Sequence, residues 1–289
     1  MRFLDCARND KERMKKIIIS IIALVVAVAA AGQTREEYYD KYQRLVSRLG
    51  HDGVGIETHL DKWEAAFPKD GRLLEARCNY YLTKSMATQV VRRDQQKFLG
   101  NKPLFTLPDS LGNQVNYFEE TFFDDELFGQ ALSWLDKAIE YYPLDLAYRA
   151  DKINCLLAYE KEWPEMAVAE IEKLVTREKQ SHPAWEVNGK PLEEGGFSDL
   201  MLGYCAQLYK IGSPEAYNSF FALSSRLQKL YPKDSNYLDN IGSYWLVAQG
   251  NDKKAMRYYK KALKINPDDA VAKANIRVIE RRKTKGSRP

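Results

Sequence analysis

Between Gln33 and Arg282 the apolar residues recur mostly three and four positions apart, the pattern of helices with one buried side. Leu127, Phe128, Ala131, Leu132, Leu135, Ala138 and Ile139 mark one such face. Leu146, Ala150, Ile153 and Leu157 mark a second, and Met166, Ile171, Leu174 and Val175 a third. The elements run for about 13 to 17 residues with short turns between several of them, which predicts stacked antiparallel helix pairs.

One motif punctuates these runs four times: Phe67-Pro68-Lys69-Asp70, Tyr142-Pro143-Leu144-Asp145, Tyr231-Pro232-Lys233-Asp234 and Asn266-Pro267-Asp268-Asp269. Proline cannot continue a helix and pushes the residue before it into an extended conformation. The aspartate can then cap the next helix by accepting hydrogen bonds from the free amides of its first turn. Each motif therefore ends one helix and starts another. Pro232 and Pro267 stand 35 residues apart, close to the period of a known helix-pair repeat.

The stretch Leu238-x2-Ile241-Gly242-x2-Trp245, followed by Ala255-x3-Tyr259, Ala262 and Pro267, resembles the tetratricopeptide repeat (TPR). It departs from the pattern by one extra residue near Ala248, before the turn at Gly250-Asn251. A second unit is split: Leu74, Cys78 and Tyr81 fit a first helix, and Ala131, Leu135, Ala138 and Pro143 a second, with an interruption from about 87 to 125. A third pairs Ile153 and Leu156 with Ala167, Ile171 and Leu174, while the segments 36–67 and 198–231 match only in outline. The resemblance implies an all-α, right-handed solenoid of stacked antiparallel helix pairs over residues 33–282, its best repeat at 236–269. It also implies a concave face lined by the first helix of each pair, and a non-enzymatic scaffold for a protein or peptide partner. Carried over by position, the lining is Arg72, Glu75 and Asn79 in the split unit and Asn236, Asp239 and Ser243 in the best one. Glu75 and Asp239 argue against a partner's carboxylate there.

Two stretches break the helical rhythm. Residues from about 100 to 123 read as an inserted β-hairpin around Pro108–Asn113, and about 181–197 as a loop with turns at Asn188-Gly189 and Gly195-Gly196. Asp124, Asp125 and Glu126 lack calcium-loop spacing and stand where a helix dipole favours acids. Phe105, Tyr117, Phe118 and Trp185 either cover the array or form an aromatic platform; the platform gives the alternative function, a cell-surface or periplasmic glycan-binding protein.

Met14-Lys15-Lys16 precedes the apolar run Ile17–Ala31, and Ala30-Ala31-Gly32 offers a cleavage point. The run is shorter than the roughly 18–20 residues of a spanning helix. Residues 1–32 are thus expected to be a signal peptide with its real start at Met14, and the chain to be an exported, periplasmic or secreted protein of the bacterial envelope, not membrane-spanning. No cysteine stands at the cleavage point to carry a lipid. Removing the six Lys/Arg and three Asp/Glu of that leader leaves 38 basic and 37 acidic side chains, and the one candidate basic stripe for a nucleic acid, Arg281-Arg282-Lys283-Thr284-Lys285, reads as a solvated end, so no nucleic-acid partner is expected. The basic end, 283–289, is expected to be disordered.

Cys78, Cys155 and Cys205 each sit inside a periodic helix and read as small buried side chains rather than as a disulfide or redox site. His51, His59 and His182 show no metal-ligand spacing, and phosphate-cradling, dinucleotide and nucleophile-elbow motifs are missing. No catalytic residue, cofactor or metal is assigned.

Overall fold

A computed structural model describes residues 33–286. The expected leader and its start at Met14, like the last three residues of the basic end, lie outside the described residues. Internal contacts divide the chain into two units, with the division between Leu73 and Leu74.

The first unit holds α1 (Arg35–Leu49), α2 (Ile56–Ala66) and the first residues of α3 (Gly71–Ser85). α1 opens on a capping box: the Glu37 amide donates to Thr34 Oγ1 (3.2 Å), and the Thr34 amide to Glu37 Oε2 (2.8 Å). Trp63 is fully buried among the rings of Tyr38, Tyr42 and His59. Its indole N–H finds a partner in Asp70 Oδ2 at 3.3 Å, as a buried indole requires.

The second unit continues with β1 (Met86–Arg93), β2 (Phe105–Pro108), β3 (Gln114–Phe123), α4 (Asp125–Tyr141), α5 (Leu146–Glu160) and α6 (Glu165–Ser181). After the short strands β4 (Glu186–Val187) and β5 (Lys190–Pro191) come α7 (Gly196–Ile211), α8 (Pro214–Leu230) and α9 (Ser235–Ser243). A π-helical turn (Tyr244–Ala248), α10 (Asp252–Ile265) and α11 (Ala270–Gly286) complete it. One cluster, with Ile153, Ile171, Met201, Tyr204, Phe220 and Tyr237 among its members, forms the main core. Leu238, Ala255, Tyr259, Ala262, Ala272 and Ile279 form another, and the Trp245 ring packs against both. In the split unit Cys78 packs with Ala131 and Leu135 across the interruption.

All four proline motifs make the same turn. The residue before proline donates its amide to the carbonyl four back in the ending helix (2.7–2.8 Å), and its own carbonyl accepts from the motif's aspartate amide (3.0–3.1 Å). The aspartate Oδ1 then accepts from the first turn of the next helix: the amides of Arg72, Ala147, Asn236 and Val271 at 3.0–3.1 Å. The other oxygen reaches elsewhere. Asp234 Oδ2 accepts from Ser198 at the start of α7 (3.2 Å), and Asp269 Oδ2 from Ser235 at the start of α9 (2.7 Å). One carboxylate thus caps its own helix and ties it to the first helix of the preceding pair.

The extra residue near Ala248 is absorbed by the π-helical turn, where the Gln249 amide donates to the Tyr244 carbonyl five residues back (3.2 Å). Gly242 is where α9 meets α10: a Cβ there would stand 2.7 Å from Cε1 of the fully buried Tyr259.

The inserted segment differs from the sequence expectation. The insertion is a three-stranded antiparallel sheet of order β1-β3-β2, with Met86 opposite Phe123 and Phe105 opposite Tyr117. β1 follows α3 directly and is mostly exposed, so it carries no apolar alternation to betray it. At the other end α11 runs to Gly286, and Ala272 and Ile279 seat it in the Tyr259 cluster.

Gly242→Ala should therefore destabilise the protein by about 1–3 kcal/mol, because the ring beside it is locked in a packed core. Gly203→Ala, in an exposed helical position with open space around it, should stabilise by roughly 0.5–1 kcal/mol. Denaturant titrations of the two variants check the contrast.

Candidate functional site

Two helices of the second unit present acids that water reaches but protein surrounds. Glu75 on α3 and Asp151 on α5 are exposed, yet desolvation is the largest cause lifting both carboxyls above their ordinary values. Asp151 is pushed up to about 6, by desolvation first and by the charges of Glu75 and Asp145 after it. The surface of α3, α5 and α7 that carries these acids is here called the trough. Asp151 also acts on Tyr204 of α7, whose buried hydroxyl has no hydrogen-bond partner among the described residues. Nearby, Gln207 Nε2 of α7 reaches Asn154 Oδ1 of α5 at 3.5 Å, at the limit of a hydrogen bond.

The basic residues on α3 and α5 do not neutralise this trough. Lys152 holds Asp136 (2.7 Å) and Glu170 (3.2 Å), the Arg77 guanidinium lies 5.3 Å over the Trp134 ring, and Arg149 donates to the Pro143 carbonyl (3.4 Å).

The residues expected to line a concave face separate. Glu75 and the half-buried Asn79 stand on α3 beside the trough, and Asn236 is exposed on α9. Arg72 is engaged within the first unit, paired with Glu36 (2.9 Å) and lying 4.5 Å over the Tyr39 ring. Ser243 is half-buried and bonded to the Tyr259 hydroxyl (3.2 Å). Asp239 departs from the expectation altogether: it is buried, covered where the turn into α11 brings Asp269 beside it.

The aromatic platform does not assemble either. Phe118 is buried in the sheet against Phe98, and Trp185 stacks on Phe197 at 6.0 Å while donating to Glu178 Oε2 (2.8 Å). Only Phe105 and Tyr117 stay partly open, stacked on each other at 4.9 Å. Trp185 does edge a recess of about 370 Å³, together with Phe197, Tyr231 and Glu178. The loop that carries it is pinned by Asp145, which accepts from the amides of Asn188 and Gly189 (both 3.1 Å). Sequence reasoning missed Asp151, Asn154 and Tyr204; their signal was position on α5 and α7, the first helices of their pairs. Among the described residues no helix is long and apolar enough to cross a membrane.

No protein-family model matches the chain, and no curated protein does. Among solved structures it is similar to YrrB, described as a TPR protein with an unusual peptide-binding site, at 13% identity over 86% of this chain and 95% of that one, with a TM-score of 0.39. The repeat at 236–269, with Gly242, Ala255 and Ala262 closing helices around Tyr259, shows the architecture directly. The fold is TPR-like. Its first helices include α3, α5, α7 and α9, and the acids of the trough stand on two of them.

On the TPR-like α9, neither Asp239 oxygen has a hydrogen-bond partner of regular geometry, and burial with the neighbouring Asp269 pushes its carboxyl up to about 8. The unfolded chain ionises near the ordinary value of 3.8. Between about pH 4 and pH 8 the folded state therefore holds a proton that the unfolded state has released, and this group's contribution to stability falls as pH rises. Asp239→Asn should remove that slope. Thermal melts should show the variant gaining on the parent from about pH 4 to pH 8; a constant difference would exclude a neutral Asp239.

Proposed function

We propose that this chain is a non-enzymatic scaffold that holds a cationic segment of a protein partner along the trough of α3, α5 and α7. The observation that carries the reading is the pair Glu75 and Asp151, solvent-accessible yet desolvated and, among the described residues, left without a cation. Two like charges that act on each other across neighbouring helices are relieved by a lysine or arginine from outside. Asn154 and Gln207 beside them supply the neutral donors and acceptors that a peptide backbone uses.

The first-helix surface of a helix-pair array suits an extended segment, and the right-handed stacking expected of such repeats would curve this surface around it. The leader-like run Ile17–Ala31 supports placing the scaffold outside the cytoplasm of a bacterial cell. The burial of Phe118 and Trp185 favours the peptide over a glycan.

Anisotropy titrations with Lys/Arg-bearing and Asp/Glu-bearing peptides test the proposal. The basic peptides should bind more tightly, and more weakly at higher salt. Because Asp151 is raised to about 6, their affinity should drop between about pH 7 and pH 5, where an ordinary surface aspartate stays ionised. Combining Glu75→Gln with Asp151→Asn should cost about tenfold, roughly 1.4 kcal/mol. Equal binding of acidic peptides, or full affinity in the double variant, would reject the trough as the site.

A further inference from the structure

Cys78 and Cys155 lie 77 positions apart in sequence, on either side of the inserted sheet. The fold brings them together. Cys155 of α5 packs against the small cluster that Cys78 of α3 forms with Ala131 and Leu135, and the two thiols interact side chain to side chain. The third described thiol, Cys205, is elsewhere: fully buried in the main core, with the Ser224 hydroxyl at 3.5 Å.

We infer that Cys78 and Cys155 are the two halves of an intramolecular disulfide site that joins α3 to α5. The site is built asymmetrically. Cys78 is buried, while Cys155 is partly open to solvent. The Cys155 sulfur and burial hold the Cys78 thiol strongly protonated; as hydrogen-bond donor it favours the thiolate at Cys155, which is lowered. Cys155 is thus the attacking sulfur and Cys78 the resolving one.

The oxidant is a small or protein-borne disulfide, R–S–S–R. The Cys155 thiolate attacks one of its sulfurs, forming Cys155–S–S–R and releasing the first R–S⁻, which takes a proton. The Cys78 sulfur then attacks Cys155, gives up its proton and releases the second R–SH. Two electrons and two protons have passed from the protein to the donor, and one protein S–S bond replaces the donor's. The bridge would close the segment containing the whole β1–β3 sheet. Glu75 and Asp151 precede the two cysteines by three and four residues, so the same link would pin the spacing of the acid pair. The inference does not depend on what binds there.

The test uses the full chain, reduced and then equilibrated in graded mixtures of reduced and oxidised glutathione. Free thiols are trapped by alkylation, and the unreduced protein is digested and mapped by mass spectrometry. The expected product is a Cys78–Cys155 linked peptide with Cys205 recovered as a free thiol, and a thermal midpoint about 5–10 °C above the reduced chain. Cys78→Ser should stop the reaction at a glutathione adduct on Cys155. Free Cys78 and Cys155 throughout, a stable adduct on Cys155 in the parent chain, or pairing through Cys205 would overturn the inference, whether or not basic peptides bind.

Discussion

The second unit's last repeat depends on one ring lying against one missing side chain. Tyr259 is fully buried, and its edge occupies the space that a Cβ on Gly242 would need. Ala255 and Ala262, a turn before and a turn after it, keep the rest of that interface thin. A nine-residue helix such as α9 has little stability of its own in water, so it persists by burying one side against α8 and another against α10. The close approach has a polar condition as well. The ring's hydroxyl would be stranded in the core, and Ser243 gives it a partner at 3.2 Å.

Much of this repeat is legible in the amino-acid sequence alone. Periodicity locates the helices, and Pro-x-Asp locates their ends, because both effects act within a few residues of where they are written. The extra residue near Ala248 stands out as a misfit, and the chain resolves it locally through the π-helical turn. What stays illegible depends on partners far along the chain. The fate of Asp239 is set by a turn thirty residues later, which brings Asp269 over it. The strand Met86–Arg93 exists only because Gln114–Phe123 returns to pair with it. Phe118 and Trp185 look alike as loop aromatics, and burial by neighbours distant in sequence removes both from the surface.

The insertion shows how a long interruption fits inside a repeat. Glu120 of β3 is buried, which for a lone carboxylate would be prohibitive. Arg93 of β1 meets it with Nη2 at 3.0 Å and Lys161, just past α5, with Nζ at 3.3 Å. The guanidinium in turn lies 3.6 Å over the Phe98 ring. One ion group thus joins the first strand, the central strand and the helical layer. The sheet becomes part of the array, and α3 can still meet α4 through Cys78, Ala131 and Leu135.

The acids of the chain sort themselves by how their oxygens are used. Asp269 caps α11 with Oδ1 and accepts from Ser235 with Oδ2, and these donors hold its carboxyl below the ordinary value although burial works against them. Asp239, beside it, has no such donors and is raised. Within one pocket of protein, the number of N–H and O–H groups aimed at a carboxylate decides the direction of its shift. Glu75 and Asp151 share the raised condition but differ in position, since water still reaches them. A sealed, unpartnered acid is a cost the fold carries through the packing around Tyr259, whereas an open one is a vacancy that another molecule can fill. That difference in access, more than the count of charges, is the reason the proposed site lies on α3, α5 and α7 and not at Asp239.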